Sequence, residues 1–213
     1  MLPTGGNAGW ATEVIETVLL YPRNDPKILT VAFCLEQGAD ILRKVEIVSN
    51  SIILYASDGV TPVLTLAAVS PIRVDLTFDQ LNRPMIVWES PNSAIWLYWY
   101  NSLVSAYVQV NIATGTNPCC MIDERRSILS SISDNFLFYQ RTSVAYYRME
   151  RERYLVEHTI PSSMLGLEIE TCGMGVNQRM TLRISGYSGV VLQSGDTSVG
   201  VDNQSIGYDS GVL

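Results

Sequence analysis

Charge is scarce in this sequence. Only 16% of its 213 residues are Asp, Glu, Lys or Arg, whereas about 25% is usual for a soluble domain. Acidic residues outnumber basic ones by 21 to 14, so the net charge is −7. Such a chain lacks the basic footprint that nucleic acid or an anionic membrane requires, and we predict neither as a partner. The low charge has two interpretations: surface buried between subunits, or an all-β surface rich in Ser, Thr and Asn.

Histidine and the common motifs of enzyme chemistry are also scarce. His158 is the single histidine, and no CxxC, GxSxG, HExxH or Walker sequence occurs. The chain has carboxylates that could form a glycosidase pair, but turns supply carboxylates in most proteins; they are Asp75, Asp79, Glu89, Asp123 and Glu124. We therefore predict no enzyme: no catalytic residue, no cofactor-binding residue, no metal ligand and no cofactor. His158 is interpreted as a hydrogen-bonded strand residue rather than a base.

The four cysteines follow no metal-binding pattern; they are Cys34, Cys119, Cys120 and Cys172. Adjacent cysteines rarely bridge each other, so we predict four free thiols and folding in a reducing cytoplasm. No apolar run approaches the roughly 18 residues that span a bilayer, which argues against a membrane anchor. Residues 1–13 contain neither the basic nor the apolar region of a signal peptide, so we expect no secretory leader.

Alternating apolar residues and frequent turn signals indicate strands throughout the chain. The segment IRVDLTF (72–78) places four apolar side chains on one face: Ile72, Val74, Leu76 and Phe78. Turn residues recur about every 8–12 positions, as in sandwiches and barrels. One stretch, 36–48, reads as a helix, although its Gly and β-branched residues weaken that prediction. The predicted fold class is all-β, an antiparallel sandwich or barrel-like meander.

Composition divides the chain into three predicted regions. Residues 1–70 form an N-terminal β region, 71–160 a region of duplicated aromatic hairpins, and 161–213 a C-terminal β segment with a Gly/Ser-rich arm. A further strand is predicted at EVIETVLLY (13–21). The arm, from Gly186 onward, has two interpretations: a flexible tail, or short strands that order against a neighbouring subunit.

The densest aromatic run, AIWLYWY at 94–100, has a counterpart later in the chain. A shift of 50 residues places Trp88 on Phe138 and Trp96 on Tyr146. Each copy reads as strand, short polar turn and aromatic strand, so each is predicted to be a β-hairpin. Such repeated hairpins occur as β-propeller blades, but two are too few for a closed propeller. Either each hairpin supplies half a sheet in each layer, or several chains complete a ring.

Both faces of the segment 94–100 are apolar. Trp96 and Tyr98 point one way, whereas Leu97 and Trp99 point the other. A half-exposed strand would alternate apolar with polar residues, so we predict that this strand is covered on both sides. A sugar-binding platform would need one open aromatic face and is therefore disfavoured. Whether the second covering layer belongs to the same chain or to a neighbour is open.

The segment RMERERY (148–154) alternates positive and negative residues. Read as a strand, it places Arg151 and Arg153 on one face and Arg148 on the other. It is either an ionic strip that pairs with neighbouring subunits or a solvated edge strand whose charges discourage aggregation. Together with the aromatic residues, it supplies the predicted assembly residues: Trp88, Trp96, Tyr98, Trp99, Tyr100, Tyr146, Tyr147, Arg148, Arg151 and Arg153.

These segments resemble a family of tailed-bacteriophage virion proteins. The sequence DQLNRPMIVWE…AIWLYWY, followed by IDERRS…SDNFLFYQRTSVAYYRMERERY, is similar to the family pattern GRPxVAxE…LYWYD…LYYRxQRDRY. The similarity covers about residues 72–160, with a looser match at 11–22. Asn82 stands where the family has Gly, and Asn101 where it has Asp; Asn also tolerates turn geometry.

The resemblance implies a structural subunit of a phage tail: an adaptor, collar, nozzle or baseplate piece, often near the fibre attachment. It implies a homo-oligomer, expected to be a ring, that contacts other tail proteins and resides in the virion. The alternative is a receptor-binding or glycan-binding tail module, and a depolymerase subunit is a more distant one.

Overall fold

The computed structural model describes residues 28–36, 39–122, 135–163, 167–174, 180–186 and 204–208. The regular elements in these ranges are β-strands and two short 3-10 turns, and every strand pair is antiparallel. The all-β antiparallel prediction is therefore confirmed. Within these ranges, no helix is long and apolar enough to cross a membrane.

The strands form four sheets in chain order. Sheet 1 contains β1 (Leu29–Glu36), β2 (Ala39–Val48), β3 (Ser51–Tyr55) and β4 (Pro62–Ala67). Sheet 2 contains β5 (Arg73–Phe78), β6 (Pro84–Ser90), β7 (Ala94–Asn101) and β8 (Ala106–Thr114). Sheet 3 contains β9 (Thr116–Ile122), β10 (Asn135–Arg141), β11 (Val144–Met149) and β12 (His158–Ser163). Sheet 4 contains β13 (Leu167–Met174), β14 (Met180–Gly186) and β15 (Gln204–Tyr208).

The helix expected over 36–48 is wrong, because Ala39–Val48 forms β2. Its apolar residues follow the period of a strand: Ile41, Val45 and Ile47 all lie on the face that packs into the core. Continuous pairing of β2 with β1 and β3 then satisfies the backbone on both edges. Tertiary pairing thus outweighs a weak helical propensity.

The four sheets stack face to face, with one hydrophobic core at each junction. The core between sheets 1 and 2 includes Val45, Ile52 and Trp88. The core between sheets 2 and 3 includes Leu97 and Tyr139. The core between sheets 3 and 4 is made by the following residues: Cys119, Met121, Phe136, Phe138, Ala145, Tyr147, Met149, Ile160, Ile169 and Cys172. Sheets 2 and 3 are therefore covered on both faces.

The first strand of each sheet is the inner one. β1 packs against β5, β5 against β9, and β9 against β13. Each sheet then runs outward as a meander, as the blades of a propeller do. The sheets stay separate and do not close into a barrel. Of the two predicted architectures, the fold therefore agrees with the sandwich.

The two aromatic hairpins are the central pairs of sheets 2 and 3, but their alignment needs a correction. A three-residue turn, Pro91–Ser93, joins β6 to β7, whereas two residues join β10 to β11. Trp88 pairs with Trp96, and Tyr139 pairs with Tyr146. The structural counterpart of Trp88 is therefore Tyr139 and not Phe138, because the shorter turn shifts the first strand by one residue and reverses its faces.

Two turns are explained by the turn chemistry of their own residues. Asp58 accepts hydrogen bonds from the backbone of Val60 and Thr61, at 2.9 and 2.8 Å, which makes the segment 57–61 an ordinary Asp turn. Asn82 has a φ of 59°, a left-handed conformation that Asn tolerates better than most residues other than Gly. The Asn in place of Gly is thus compatible with this turn.

The C-terminal arm contributes one described strand. β15 pairs with β14 of the same chain, so this part of the arm adds to its own sheet and not to a neighbour. The rest of the arm, the strand expected at 13–21 and the acidic turn at 123–127 lie outside the described residues.

Candidate functional site

The aromatic strand β7 is covered on both sides by its own chain. Ile95, Leu97 and Trp99 are buried in the core shared with sheet 3. Trp96 and Tyr98 are half-buried against the core shared with sheet 1. The prediction of two covered faces is confirmed, and both layers belong to the same molecule.

Each hairpin contains a stacked aromatic pair across its strands. The rings of Trp88 and Trp96 lie 6.0 Å apart and within 9° of parallel. The rings of Tyr139 and Tyr146 lie 5.8 Å apart and within 17°. Stacked rings of this kind add to the stability gained from burial alone. The matching geometry supports the interpretation of a repeated unit.

A tyrosine cluster lies beyond the tryptophans, towards the outer strand β8. Tyr98 stacks on Tyr107 at 5.0 Å, and Tyr100 meets Tyr107 edge-on at 5.4 Å. The Arg83 guanidinium lies 4.1 Å from the centre of the Tyr100 ring and is bound to Asp79. Tyr107, at 40% exposure, is the most open of these rings. The rings of this cluster therefore mostly contact other side chains of the same chain.

Tyr147 and Arg148 lie on opposite faces of β11. Tyr147 is buried and stacks on His158 at 4.7 Å. The His158 ring is also 2.6 Å from Glu152, which agrees with its interpretation as a hydrogen-bonded strand residue. Arg148 faces the junction with sheet 2, where its side chain is 15% exposed.

Arg148 is the centre of a charged cluster. It donates hydrogen bonds to the Tyr139 hydroxyl at 3.0 Å, to the Tyr154 carbonyl at 2.6 Å and to Glu157 at 3.2 Å. Glu157 also accepts from Tyr139 and from Arg141. Burial works to raise the pKa of Glu157, but the three hydrogen bonds outweigh it and the pKa lies below its usual value. Burial raises the pKa of Tyr139 to about 12.

The strand expected over 148–154 ends early. β11 stops at Met149, Glu150–Glu152 form a 3-10 turn, and Arg153 has the left-handed φ of 56°. The Arg151 guanidinium lies 3.3 Å from the Met149 sulfur, whereas the Arg153 side chain is exposed. The two-faced ionic strip therefore does not form, because the turn rotates the three arginines in different directions.

Sequence reasoning missed a polar network between the inner strands. Asp75 of β5 is 3% exposed. It accepts hydrogen bonds from the Thr30 hydroxyl of β1 at 3.2 Å and from the Cys120 amide of β9 at 2.8 Å. One carboxylate thus joins sheets 1, 2 and 3. The strand predicted at 72–78 contains Asp75, as observed, but its alternation did not indicate that this carboxylate is buried between sheets.

A second set of hydrogen bonds reaches sheet 4. Glu89 accepts from the Asn117 amide at 2.9 Å, and the Asn117 side chain donates to Gln140 at 3.2 Å. Gln140 accepts from the Ile169 amide at 2.8 Å, and Arg73 donates to the Ile169 carbonyl at 3.1 Å. Buried polar groups need such partners, and here the partners lie on different sheets. A signal was present in the sequence for one of these residues: Asp75 is a charge between Val74 and Leu76 within a predicted strand.

Glu89 gives the network a predicted pH dependence. Burial raises its pKa above the usual value, although Asn117 and Arg73 act in the opposite direction. A raised carboxyl pKa means that the folded state favours the protonated form, so this group costs stability as pH rises through the usual pKa and the raised one. Glu89→Gln keeps an acceptor and removes the charge. We expect thermal denaturation to show Glu89→Gln more stable than wild type at pH 7, on the order of 1 kcal/mol, with no difference below pH 4. A less stable variant at pH 7 would show that the attraction of Arg73 dominates.

The remaining candidate chemistry is limited. All four cysteines are buried and unbridged. In the described part of the chain, no group of three or more His, Cys, Asp or Glu side chains could hold a metal ion.

The structure thus separates the ten predicted assembly residues. Trp88, Trp99 and Tyr147 are core residues, and the other aromatics are half-buried in sheet junctions. Arg148 donates hydrogen bonds to Tyr139, Tyr154 and Glu157 of its own chain, and Arg153 is exposed at the surface. Comparison with protein-family models, with curated proteins and with solved structures finds no match for this chain.

Proposed function

We propose that this chain is a structural subunit of a bacteriophage tail, in an adaptor, collar, nozzle or baseplate near the fibre attachment. It acts by homo-oligomeric assembly, expected to be a ring, and by contact with other tail proteins. It folds in the host cytoplasm and is then built into the virion. The proposal includes no reaction, no cofactor, no nucleic acid and no membrane.

The observation that carries this proposal is an apolar end of the stack. Antiparallel pairing places the first and third connections of sheet 2, residues 79–83 and 102–105, at the same end of that sheet. Tyr154 lies in the connection from β11 to β12 of sheet 3. Its hydroxyl is 3.2 Å from the Met85 sulfur of sheet 2, and its ring centre is 5.3 Å from that of Trp99. Five aliphatic side chains in these connections and in the connection from β11 to β12 are 47% to 72% exposed: Leu81, Leu103, Val104, Leu155 and Val156. We call these five residues the loop end.

Exposed aliphatic side chains that share one end of a molecule are typical of a protein–protein contact. The body behind them is held by three cores and by hydrogen bonds between sheets, which suits a load-bearing subunit. The sequence resemblance to phage tail proteins points to the same class of function.

The loop end offers a direct test. Leu103→Ser with Val104→Ser should fold, because both side chains are exposed, but should lose incorporation into tail particles at least 10-fold. The matched control is Val69→Ser, also exposed but in the connection from β4 to β5 at the opposite end. Light scattering after size-exclusion chromatography, with and without the other tail proteins, gives the readout. A wild-type chain that never enters particles would overturn the proposal.

A glycan-binding tail module is the second candidate. The observation in its favour is Tyr107, an exposed ring beside Tyr98 and Tyr100. Against it, Tyr98 already occupies one face of the Tyr107 ring. A glycan array with wild type and Tyr107→Ala tests this candidate: specific binding that Tyr107→Ala abolishes would favour it.

A further inference from the structure

Two of the four cysteines meet across the junction between sheets 3 and 4. Cys119 of β9 and Cys172 of β13 are both buried, at 0% and 3% exposure, and both belong to the core that these two sheets share. β9 packs directly against β13, and the two thiols hydrogen-bond to each other. Their sulfur atoms therefore lie side by side on facing strands, which is the arrangement that a disulfide bond between sheets requires.

A β-bulge in β13 gives Cys172 its direction. The pairing of β13 with β14 shifts between Ile169 and Thr171, so Glu170 is an extra residue in the backbone of β13. In an uninterrupted strand, residues three positions apart point to opposite faces. The bulge changes this alternation, and Cys172 joins Ile169 in the buried core. The bulge is thus what turns the second thiol towards Cys119.

The other two cysteines occupy other cores. Cys120 points to the opposite face of β9, where its sulfur lies 3.9 Å from the Met85 carbonyl oxygen. Cys34 lies in the core between sheets 1 and 2. Burial and the hydrogen bond with Cys119 raise the pKa of Cys172, so less of this thiol is in the reactive thiolate form than in an exposed cysteine. Oxidation of the pair is therefore expected to be slow.

We propose that Cys119 and Cys172 form a redox-sensitive pair, which stays reduced in a reducing cytoplasm and closes to a disulfide between sheets 3 and 4 when an external disulfide oxidises it. The thiolate of one cysteine attacks a sulfur of the oxidant, such as oxidised glutathione, and one glutathione leaves as a thiol. The second cysteine attacks the mixed disulfide, which forms the bond and releases the second glutathione. The pair loses two electrons and two protons, and the oxidant gains them.

The bond would fasten sheet 4, which ends the described stack. It would join two residues that are about 50 positions apart in the chain, and closing so long a loop removes conformational entropy from the unfolded state. Because the folded junction already holds both sulfur atoms together, the bond should add little strain to the native structure. We therefore expect the disulfide to raise the melting temperature by roughly 10 °C.

The first test counts free thiols in the folded wild-type protein after exposure to oxidised glutathione. After denaturation and reaction with a maleimide, the reduced chain should take up four labels and the oxidised chain two fewer. Peptide mapping by mass spectrometry should place the bond between Cys119 and Cys172. Cys120→Ala, which separates the two adjacent cysteines in the map, should form the same bond, whereas Cys172→Ala should form none within the chain. A disulfide that includes Cys34 or Cys120 would overturn the inference. So would a folded wild-type chain that keeps every thiol under conditions that oxidise it in denaturant.

The second test is thermal denaturation of the oxidised wild type with and without dithiothreitol. The melting temperature should fall by the expected shift when dithiothreitol reduces the bond. This comparison uses no substitution, so it does not depend on whether a variant folds. Cys172→Ala is the matched control, and its melting temperature should be the same with and without the oxidant. A disulfide form that melts at or below the temperature of the reduced form would show that the junction is not built to close, and the inference would be wrong.

Discussion

Replacing Trp88 with alanine is expected to destabilise the protein by about 4 kcal/mol, the size of the largest core truncations. Trp88 is 1% exposed, stacks on Trp96 and fills the core between sheets 1 and 2. Its removal leaves a cavity at the centre of a sheet that is packed on both faces, where relaxation is limited. Urea denaturation followed by circular dichroism measures the change in the free energy of unfolding.

Two control variants accompany Trp88→Ala. One tests the loss of the indole N–H, and the other gives the cost of a truncation at an exposed position. Trp88→Phe retains most of the ring and removes an indole N–H that has no hydrogen-bond partner among the described residues, so the expected cost is only about 1–2 kcal/mol. Leu103→Ala, at an exposed position, should change stability by less than about 0.5 kcal/mol. A loss for Trp88→Ala no larger than that of Leu103→Ala would contradict the assignment of Trp88 to the core.

Replacing Asp75 with alanine should cost about 3 kcal/mol. The substitution leaves the Thr30 hydroxyl and the Cys120 amide, both buried, without the acceptor that joins three sheets. A buried donor that loses its acceptor destabilises the folded state by more than the hydrogen bond itself contributed, because the donor stays removed from water. The same denaturation experiment, together with hydrogen exchange at the Cys120 amide, measures the loss.

Two matched variants at this site each remove a single feature of the hydrogen-bonded group, the charge of Asp75 or the hydroxyl of Thr30. Asp75→Asn keeps an acceptor and should cost less than Asp75→Ala. Thr30→Val removes a single hydroxyl and should cost about 1 kcal/mol. An Asp75→Ala protein as stable as wild type would show that the inner network does not hold the sheets together.

The repeated hairpin illustrates what local sequence can and cannot specify. Alternation and aromatic content identify both copies, because side-chain direction in a strand follows a period of two. The alignment of Trp88 with Phe138 nevertheless fails by one residue. Loop length sets the register of a hairpin, and the difference between a three-residue and a two-residue turn appears only in the paired strands.

Two local predictions were wrong for a common reason. The segment 36–48 has weak helical character yet forms β2, and the segment 148–154 alternates in charge yet turns after Met149. In both cases the outcome depends on the neighbouring strands. β2 gains two paired edges, and the turn after Met149 lets β12 return alongside β11 and places the Tyr154 ring in the core.

By itself, the sequence determined the all-β class, the two aromatic hairpins, the covered faces of β7 and the turns at Asp58 and Asn82. All of these depend on neighbours within a few positions, which is the range of alternation and turn chemistry. Only the tertiary structure decided that four meanders stack in chain order, that both layers around β7 belong to one molecule, and that Asp75 and Glu89 are buried. These facts depend on distant residues meeting at a junction, such as Arg73 and Ile169, which are 96 positions apart, and no local pattern records which sheet lies against which.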